Sequence, residues 1–202
     1  MRQLPVPGRD TAYVWLGRTA GNQRELTRRL LRCAGGALLG RSGTEIGVRR
    51  APGGRPEVYA GDGRTLPVSV SHVDGLVVVA ARAGGPVGVD VERCRPLPAA
   101  PLAGRWYDPG EAAWLRVRDE AGRDLDFLRL WTAKEAVGKA LGTGLRDGGL
   151  RRRMPVPGVP GDLLRPVPAC PGVRVGHPAA GDGLVLAVAV AGAAGEVDVV
   201  LA

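Results

Sequence analysis

Three short apolar segments between residues 66 and 92 place the strongest limit on the fold of this chain. They read LPVSVSH (66–72), LVVVAARA (76–83) and VGVDVE (87–92), and the turn-forming sequences VDG and GGP separate them. Alternating or β-branched apolar residues favour strands, and connections this short join neighbouring antiparallel strands. The pattern therefore predicts an antiparallel meander of three strands.

Segments with helical spacing lie on both sides of these strands. Residues 23–40 read QRELTRRLLRCAGGALLG and follow a short opening strand at 11–17. Residues 124–141 form the second long helical pattern, which stops at Gly142. The sequence TEIGVRRAPGGRPEVYA (44–60) predicts a strand followed by a turn-rich loop.

Another helix is predicted to start at Asp108 and to run to about residue 120. Asp108 can serve as the N-cap, Pro109 as the first helical residue and Glu111 as the third residue of a capping box. The segments GLVLAVAVAG and EVDVVLA predict a hairpin that closes the chain. Residues 146–183 are rich in Gly, Pro and Arg, and their sequence assigns no element.

The order of strand, helix, strands, helices and strands predicts an α+β fold. A helix-bearing half lies on each side of residues 84–86, so we expect an amino-terminal half over 1–85 and a carboxyl-terminal half over 86–202. A chain of 202 residues suffices for one large domain or for two small lobes that share a core.

The net charge of +8 favours an anionic partner, which could be nucleic acid, a phosphorylated small molecule or an acidic protein. Nucleic acid is disfavoured because the arginines are scattered, aromatic residues are only 4% and no zinc-finger spacing occurs. The run Arg151, Arg152 and Arg153 is typical of a solvated loop or of an edge that docks a partner.

Cysteine usage and hydropathy indicate a reducing, aqueous compartment. The 3 cysteines are widely spaced and suggest neither a disulfide framework nor a zinc site. The chain lacks a signal-peptide pattern and an apolar run of about 18 residues, so we expect a cytoplasmic protein without a membrane span.

The segment VGVDVE carries two acids on one face of its predicted strand. A period of two places three valines on one face and Asp90 and Glu92 on the other, beside Gly88. Two carboxylates one pleat apart make a half-site for Mg²⁺, which prefers oxygen ligands. The alternative is an amphipathic strand with a solvated acidic face, and the segment taken alone favours that alternative.

The segment WTAKEAVGKALG (131–142) holds the two lysines of a chain whose 28 basic residues are otherwise arginine. Lys134 and Lys139 bracket Glu135. On a helix, Trp131, Glu135 and Lys139 fall on one stripe. A neighbouring stripe is expected to be buried and contains Leu130, Ala133, Val137, Ala140 and Leu141.

An exposed Glu135–Lys139 ion pair would be worth only about 0.3–0.5 kcal/mol and is the simplest alternative for this segment. It does not explain the choice of lysine, whose compact ammonium suits a diphosphate or an alkoxide better than a flat guanidinium does. Carboxylates on one element and two ammoniums on another together indicate phosphate chemistry with a metal ion.

The spacing of these two segments resembles a known family. VGVDVE followed by WTAKEAVGK is similar to the paired signature of the 4′-phosphopantetheinyl transferases of the surfactin-synthetase-activating type. GGRP (53–56) resembles the Gly-(Lys/Arg)-Pro turn of that family, and VSVSH resembles its strand that ends in Ser-His. The resemblance covers most of the chain from about residue 24.

The resemblance implies two similar α/β halves packed as an intramolecular pseudo-dimer, with the active site between them. It implies a monomer that transfers the 4′-phosphopantetheine arm of coenzyme A to a serine of an apo acyl or peptidyl carrier protein, with Mg²⁺ as cofactor and 3′,5′-ADP as product. The metal ligands would be Asp90, Glu92 and Glu135.

The same resemblance assigns the remaining roles. Glu135 would be the base, Lys139 would stabilise the diphosphate and Asp90 would complete the catalytic set. Coenzyme A would be held by residues from both halves, namely Arg24, Arg55, Ser71, His72, Lys134 and Lys139. Less helix and fewer basic residues precede residue 24 than is usual in the family, so we expect coenzyme A contacts from there to be absent or replaced.

Three alternatives stay open at this point. The chain could be another Mg²⁺-dependent phosphoryl or nucleotidyl enzyme, although no Walker-type loop or kinase signature occurs. It could be a catalytically weak homologue that binds coenzyme A or a carrier protein. A basic nucleic-acid binder would show a steep salt dependence of DNA affinity without a need for Mg²⁺.

Overall fold

A computed structural model describes residues 10–51, 54–146, 148–158, 164–168, 170–181, 183–193 and 197–202. The chain forms three sheets and four helices within these ranges. Helices and strands both contribute substantially, which confirms the predicted α+β class. None of the described helices is long and apolar enough to cross a bilayer.

The first sheet has four strands in the order β11-β1-β6-β5. Its strands are β1 (Thr11–Arg18), β5 (Val68–Val73), β6 (Leu76–Arg82) and β11 (Asp198–Leu201). β6 pairs antiparallel with both β1 and β5, whereas β11 pairs parallel with β1. Every residue of β6 is buried because helices and neighbouring strands cover both faces of this sheet.

Helix α1 (Gln23–Leu39) covers one face of the first sheet. The side chain of Asn22 caps its N-terminus, and Gly40 ends it in the left-handed conformation with φ 65°. A small sheet with the order β2-β3-β4 follows α1, after a short 3-10 turn. Its strands are β2 (Ile46–Arg50), β3 (Pro56–Ala60) and β4 (Thr65–Leu66).

The second sheet has the order β7-β10-β9-β8. Its strands are β7 (Val87–Arg93), β8 (Arg165–Pro166), β9 (Val173–Gly176) and β10 (Leu184–Ala191). Three helices accompany this sheet, namely α2 (Ala99–Trp106), α3 (Pro109–Arg116) and α4 (Glu120–Leu141). The long helix α4 packs directly against β7 and β10, so it carries its residues to the edge of the sheet at β7.

Two strand pairings that the sequence predicts are wrong. β5 and β6 form the expected hairpin, but β7 joins the second sheet because β1 and β5 already occupy both edges of β6. The closing hairpin does not form either. β10 is buried along nearly its whole length between β7 and β9, and this leaves no edge for β11, which pairs with β1 instead.

The helix predictions are confirmed with shifted ends. Asp108 and Glu111 form the expected capping box of α3, but the helix stops at Arg116 and a new one starts at Glu120, capped by Asp119. α2 was not predicted. On α4 the predicted apolar stripe is buried except for Leu141, which is exposed at the last turn. Two expectations stay predictions, namely the division into 1–85 and 86–202 and the twofold relation of the two halves. One strand crosses that division, because β11 from the carboxyl-terminal half lies in the first sheet.

The two large sheets meet where β5 faces β7. These strands do not pair through their backbones. Instead, the hydroxyl oxygen of Ser69 accepts a hydrogen bond from the Val89 N–H at 3.1 Å, and that of Ser71 accepts one from the Val91 N–H at 3.3 Å. Buried backbone donors must find partners. Here the serine hydroxyls accept the hydrogen bonds that the carbonyl groups of a neighbouring strand would accept in a continuous sheet.

Glycine allows α4 to approach β7 closely. A Cβ atom on Gly88 would collide with the Ala136 carbonyl oxygen and would lie 2.6 Å from the Ala140 nitrogen. Gly138 has a similar role, since its Cβ would collide with the carbonyl oxygen of Gly144 where the chain folds back after α4. The helix-weakening glycine within α4 is thus explained by the loop that packs on it.

We expect Gly88→Ala to lower the free energy of unfolding by about 1–3 kcal/mol, the usual cost of overpacking, because the obstacle is helix backbone. Urea unfolding monitored by circular dichroism measures this change. The matched control is Gly104→Ala in α2, where the new methyl group meets no atom within 4 Å. It should stabilise the protein by about 0.5–1 kcal/mol. Equal effects of the two substitutions would contradict this account.

His177 is half-buried beside α4. Its Nε2 lies 2.9 Å from the Arg129 carbonyl oxygen and 3.5 Å from the Thr132 hydroxyl. Burial lowers the pKa of His177 from 6.5 to about 4. The unfolded chain therefore binds more protons than the folded chain between these pH values, so stability falls as the pH drops through this window.

Between pH 7 and pH 4 we expect His177 to account for a loss of about 3 kcal/mol in the free energy of unfolding, given its pKa of about 4. Denaturant titrations at several pH values, on the wild type and on His177→Gln, isolate this contribution. The variant should show a flatter pH dependence in this range. Parallel curves for the two proteins would refute the assignment.

Candidate active site

The site is centred on the edge of β7 that faces β5 and the last turns of α4. The ammonium of Lys139 lies 3.0 Å from the Val89 carbonyl oxygen and 2.7 Å from Oδ1 of Asp90. Lys139 can reach both groups because Gly88 brings the helix close to the strand. The structure thus joins one carboxylate of VGVDVE to one lysine of WTAKEAVGK, as the sequence predicts for a shared site.

Asp90 is held from two sides. Its Oδ1 accepts a hydrogen bond from the Ser71 hydroxyl at 2.8 Å in addition to the one from Lys139. Burial raises the pKa of the Asp90 carboxyl, and this effect outweighs the lowering by Lys139 and Ser71. Burial therefore makes the charged form of Asp90 unfavourable, and a cation bound nearby would stabilise that form.

Glu135 and Glu92 lie close enough to Asp90 to interact with its charge. Burial raises the pKa of Glu135, and the charges of Asp90 and then Glu92 add to this effect, against the lowering by Lys139. Glu92 is half-buried, and its Oε2 accepts a hydrogen bond from Arg95 Nη1 at 2.8 Å. Together the three carboxylates supply oxygen donors of the kind that Mg²⁺ prefers.

The three acids are not drawn together around a common point. Within the described ranges, no group of three or more acidic, histidine or cysteine side chains is arranged to hold a metal ion. Two of the acids are instead paired with cations, Asp90 with Lys139 and Glu92 with Arg95. The three carboxylates have the right chemistry for a divalent ion, and their like charges favour a cation between them. In their present positions, however, two of these charges are neutralised by Lys139 and Arg95.

A cleft of about 1080 Å³ opens beside Lys139, at the junction of the two sheets. Its walls are α1, the β2–β3 hairpin, β5, and the end of α4 with the loop that follows it. Its described lining contains seven cationic side chains and no acidic one; these cations are Arg24, Arg28, Arg49, Arg50, Arg55, Lys139 and Arg146. Such a lining focuses positive potential and favours a polyanionic ligand.

Several of the residues predicted to hold coenzyme A lie in this cleft. Arg24, Arg55 and His72 line it together with Lys139. Arg55 also donates to the carbonyl oxygens of Lys139 and Ala140, so it bridges the β2–β3 hairpin and the end of α4. Its position favours helix capping as well as anion binding.

Ser71 is placed differently from its predicted role. It is buried, and its hydroxyl is engaged with Asp90 and with the Val91 N–H. The side chain therefore orients a predicted metal ligand instead of facing the cleft. The neighbouring residue His72 is exposed, since successive residues of β5 point in opposite directions.

Lys134 does not reach the cleft. Its ammonium is fully buried, 2.5 Å from Oε2 of Glu111 and 2.6 Å from the Arg152 carbonyl oxygen, and it lies 4.7 Å from the ring centre of Tyr107. The structure thus places Lys134 outside the described lining of the cleft, and its role in coenzyme A binding stays a prediction. Lys134 lies about 100° round the helix from Glu135 and points into the protein, toward α3.

Glu111 is the residue of this neighbourhood whose importance sequence reasoning missed. Besides capping α3, it accepts hydrogen bonds from Lys134 and, at 2.7 Å, from the Met154 N–H. It thereby ties α3, α4 and the segment after α4 to one another. The capping box was the only local sign of its importance in the sequence. The contact between Glu111 and Lys134 joins residues 23 positions apart, and no periodic pattern relates residues at that distance.

The comparison with protein families matches residues 86–155 to the 4′-phosphopantetheinyl transferase superfamily. This segment contains β7, the three helices and the whole Asp90–Lys139 arrangement described above. The chain belongs to the 4′-phosphopantetheinyl transferase superfamily. This finding confirms the family that the sequence resembles.

Curated relatives agree with this assignment. A presumed 4′-phosphopantetheinyl transferase of Synechocystis is 33% identical over 140 residues, which cover 68% of this chain and 56% of the relative. The 4′-phosphopantetheinyl transferase Gsp of Aneurinibacillus migulanus is 34% identical over 77 residues (38% and 32%), and HetI of Nostoc is 31% identical over 122 residues (58% and 51%). The matches therefore span about half or less of the length of these relatives.

For the buried pair, we expect Lys134→Met to lower the free energy of unfolding by about 3–5 kcal/mol, because Glu111 would be left as an uncompensated buried charge. The double variant Lys134→Met with Glu111→Gln should recover much of this loss, since a neutral pair removes the buried charge. Urea unfolding of the wild type, both single variants and the double variant forms a complete cycle. Additive losses in that cycle would show that the two side chains act independently.

Proposed function

We propose that this chain transfers the 4′-phosphopantetheine arm of coenzyme A to a serine of an apo carrier protein, with Mg²⁺ as cofactor and 3′,5′-ADP as the second product. The observation that carries the proposal is the continuity of the basic cleft with the acidic group. Lys139 lines the cleft and at the same time contacts Asp90. An anion bound in the cleft would thus have one end beside the carboxylates.

The cleft suits the charged end of coenzyme A. Its volume of about 1080 Å³ is at the upper end of ordinary ligand pockets. Coenzyme A carries a diphosphate and a 3′-phosphate, and arginines recognise phosphates through paired hydrogen bonds. We assign Arg24, Arg55 and His72 to these phosphates, and the other cleft arginines add to the attraction.

Asp90, Glu92 and Glu135 would hold the magnesium ion. When bound, Mg²⁺ supplies charge neutralisation at the diphosphate. Ser71 keeps Asp90 oriented through its hydrogen bond at 2.8 Å. Arg95 restrains Glu92 through a hydrogen bond at 2.8 Å.

The reaction needs a proton acceptor for the serine hydroxyl and a cation for the leaving group. The serine oxygen forms a bond to the phosphorus that carries the pantetheine arm, and the bond from that phosphorus to the bridging oxygen breaks. We assign the serine proton to Glu135, because a carboxylate whose pKa is raised by burial and by Asp90 is a better acceptor near neutral pH. Lys139 would stabilise the charge on the departing 3′,5′-ADP.

The carrier protein would approach the same end of the cleft. The net charge of +8 favours an acidic partner, and Arg151 and Arg153 are exposed on the segment after α4. Charge complementarity of this kind accelerates association more than it raises affinity. We propose polyketide, nonribosomal peptide or fatty-acid carrier proteins as partners, since all present a serine to the same chemistry.

One observation favours a second candidate function. Two of the three acids, Asp90 and Glu92, are paired with Lys139 and Arg95, and the described residues do not draw the three acids together around a common point. A homologue with weak catalysis could use the basic cleft to bind coenzyme A or a carrier protein without transferring the arm.

Intact-mass spectrometry of a panel of apo carrier proteins separates these two functions. The chain is incubated with coenzyme A and Mg²⁺, and we expect the mass of one phosphopantetheine arm to be added to at least one carrier. The gain should disappear when the metal is chelated. If coenzyme A binds and yet no carrier gains mass, the binding-module function is supported instead.

We expect Asp90→Ala and Glu135→Ala to reduce the transfer rate by at least about 100-fold, the usual scale for loss of a catalytic acid–base group. Both variants should remain folded, as judged by circular dichroism. Glu120→Ala, which removes an exposed acid at the far end of the same helix, serves as the control. Wild-type rates from either site variant would refute the assignment of the site.

A further inference from the structure

Lys139 occupies the carboxylate that the proposed metal ion would need. Oδ1 of Asp90 accepts hydrogen bonds from both the Lys139 ammonium at 2.7 Å and the Ser71 hydroxyl at 2.8 Å. The Val89 carbonyl oxygen accepts a further bond from the same ammonium at 3.0 Å. The ammonium is thus seated on the edge of β7 and not free in the cleft.

No other cation shares this position in the described structure. The remaining members of the acidic group have separate arrangements, since Glu92 pairs with Arg95 and Glu135 has no salt bridge among the described residues. Arg55, which contacts the end of α4, is engaged with the carbonyl oxygens of Lys139 and Ala140. Among the residues that the structure describes, Lys139 is therefore the cation paired with Asp90.

We propose that Lys139 is an internal counter-ion that a divalent metal ion must displace from Asp90, and that the displaced ammonium then faces the anion in the cleft. This inference rests on the proposed function, because it concerns the metal ion of that site. It adds that metal and lysine compete for one carboxylate oxygen. Binding of the metal would free a charge for the phosphates, which couples the two binding events.

The reasoning is electrostatic. Asp90 is buried, so its charge needs one cation nearby, and Lys139 supplies it as long as no metal is bound. A metal ion and an ammonium on the same oxygen would repel each other at short range. If Lys139 acted only on the phosphates, its removal would leave the affinity for metal unchanged. If it is the counter-ion, its removal should strengthen metal binding.

Binding of Mn²⁺ alone, followed by electron paramagnetic resonance in the absence of any nucleotide, tests this competition. We expect Lys139→Met to bind Mn²⁺ about tenfold more tightly than the wild type, a typical size for coupling between two ligands. Arg146→Met is the matched control. It removes one positive charge from the same cleft lining but has no ion pair with Asp90, so its affinity should stay near that of the wild type.

Equal or weaker binding of Mn²⁺ by Lys139→Met would overturn the proposal. An equal gain in both variants would overturn it as well, since that result would show only a general effect of charge. Absence of Mn²⁺ binding in the wild type and in both variants would have the same consequence. Lys139→Gln, which keeps a neutral hydrogen-bond donor, replaces the methionine variant if that variant fails to fold, and the same gain is expected.

The transfer assay on carrier proteins distinguishes failure of this inference from failure of the proposed function. If the wild type transfers the arm but Lys139→Met shows no gain in Mn²⁺ affinity, the proposed function is supported and the counter-ion role of Lys139 is refuted. If Lys139→Met binds Mn²⁺ about tenfold more tightly but the wild type transfers no arm, the counter-ion role is supported and the proposed enzymatic activity is refuted.

Discussion

The edge of β7 that has no strand partner is the constraint on which the rest of the site depends. β10 pairs with one side of this strand, and the other side faces β5 without a backbone ladder. Its buried polar groups are satisfied by side chains, two serine hydroxyls from β5 and the ammonium of Lys139 from α4. This strand edge is therefore contacted by β5 of the first sheet and by α4. As a result, the carboxylate of Asp90 lies where the two large sheets meet.

The choice of lysine at two positions has two different physical reasons. Lys134 is enclosed by a carboxylate, a carbonyl oxygen and an aromatic ring, a space that suits the small tetrahedral ammonium and not a planar guanidinium. Lys139 is partly exposed and contacts both a strand carbonyl and Asp90, while it also borders the cleft. One lysine therefore holds helices and loop together, and the other connects the acids to the anion site.

The cleft and the acidic group are electrostatically complementary parts of one surface. The described lining of the cleft holds seven cationic side chains and no acidic one, whereas the acids lie just beyond Lys139. Burial raises the pKa of Asp90 and of Glu135, and the charges of neighbouring acids add to both effects. A polyanionic substrate and a divalent cation would each be attracted to the part of opposite charge. This separation of charge is what a phosphoryl-type transfer requires, since positioning and neutralisation supply most of the catalysis.

The sequence by itself determined helices α1, α3 and α4, the β5–β6 hairpin, the capping box at Asp108 and the two motifs of the family, because local periodicity and turn chemistry are short-range signals. It also predicted that Asp90, Glu135 and Lys139 share a site. Only the tertiary structure decided that β7 pairs with β10, that β11 returns to β1, that Lys134 is buried on Glu111 and that Ser71 holds Asp90. These outcomes depend on which strand edges are free and which way a helix faces, and such competition among distant residues leaves no periodic trace in the chain.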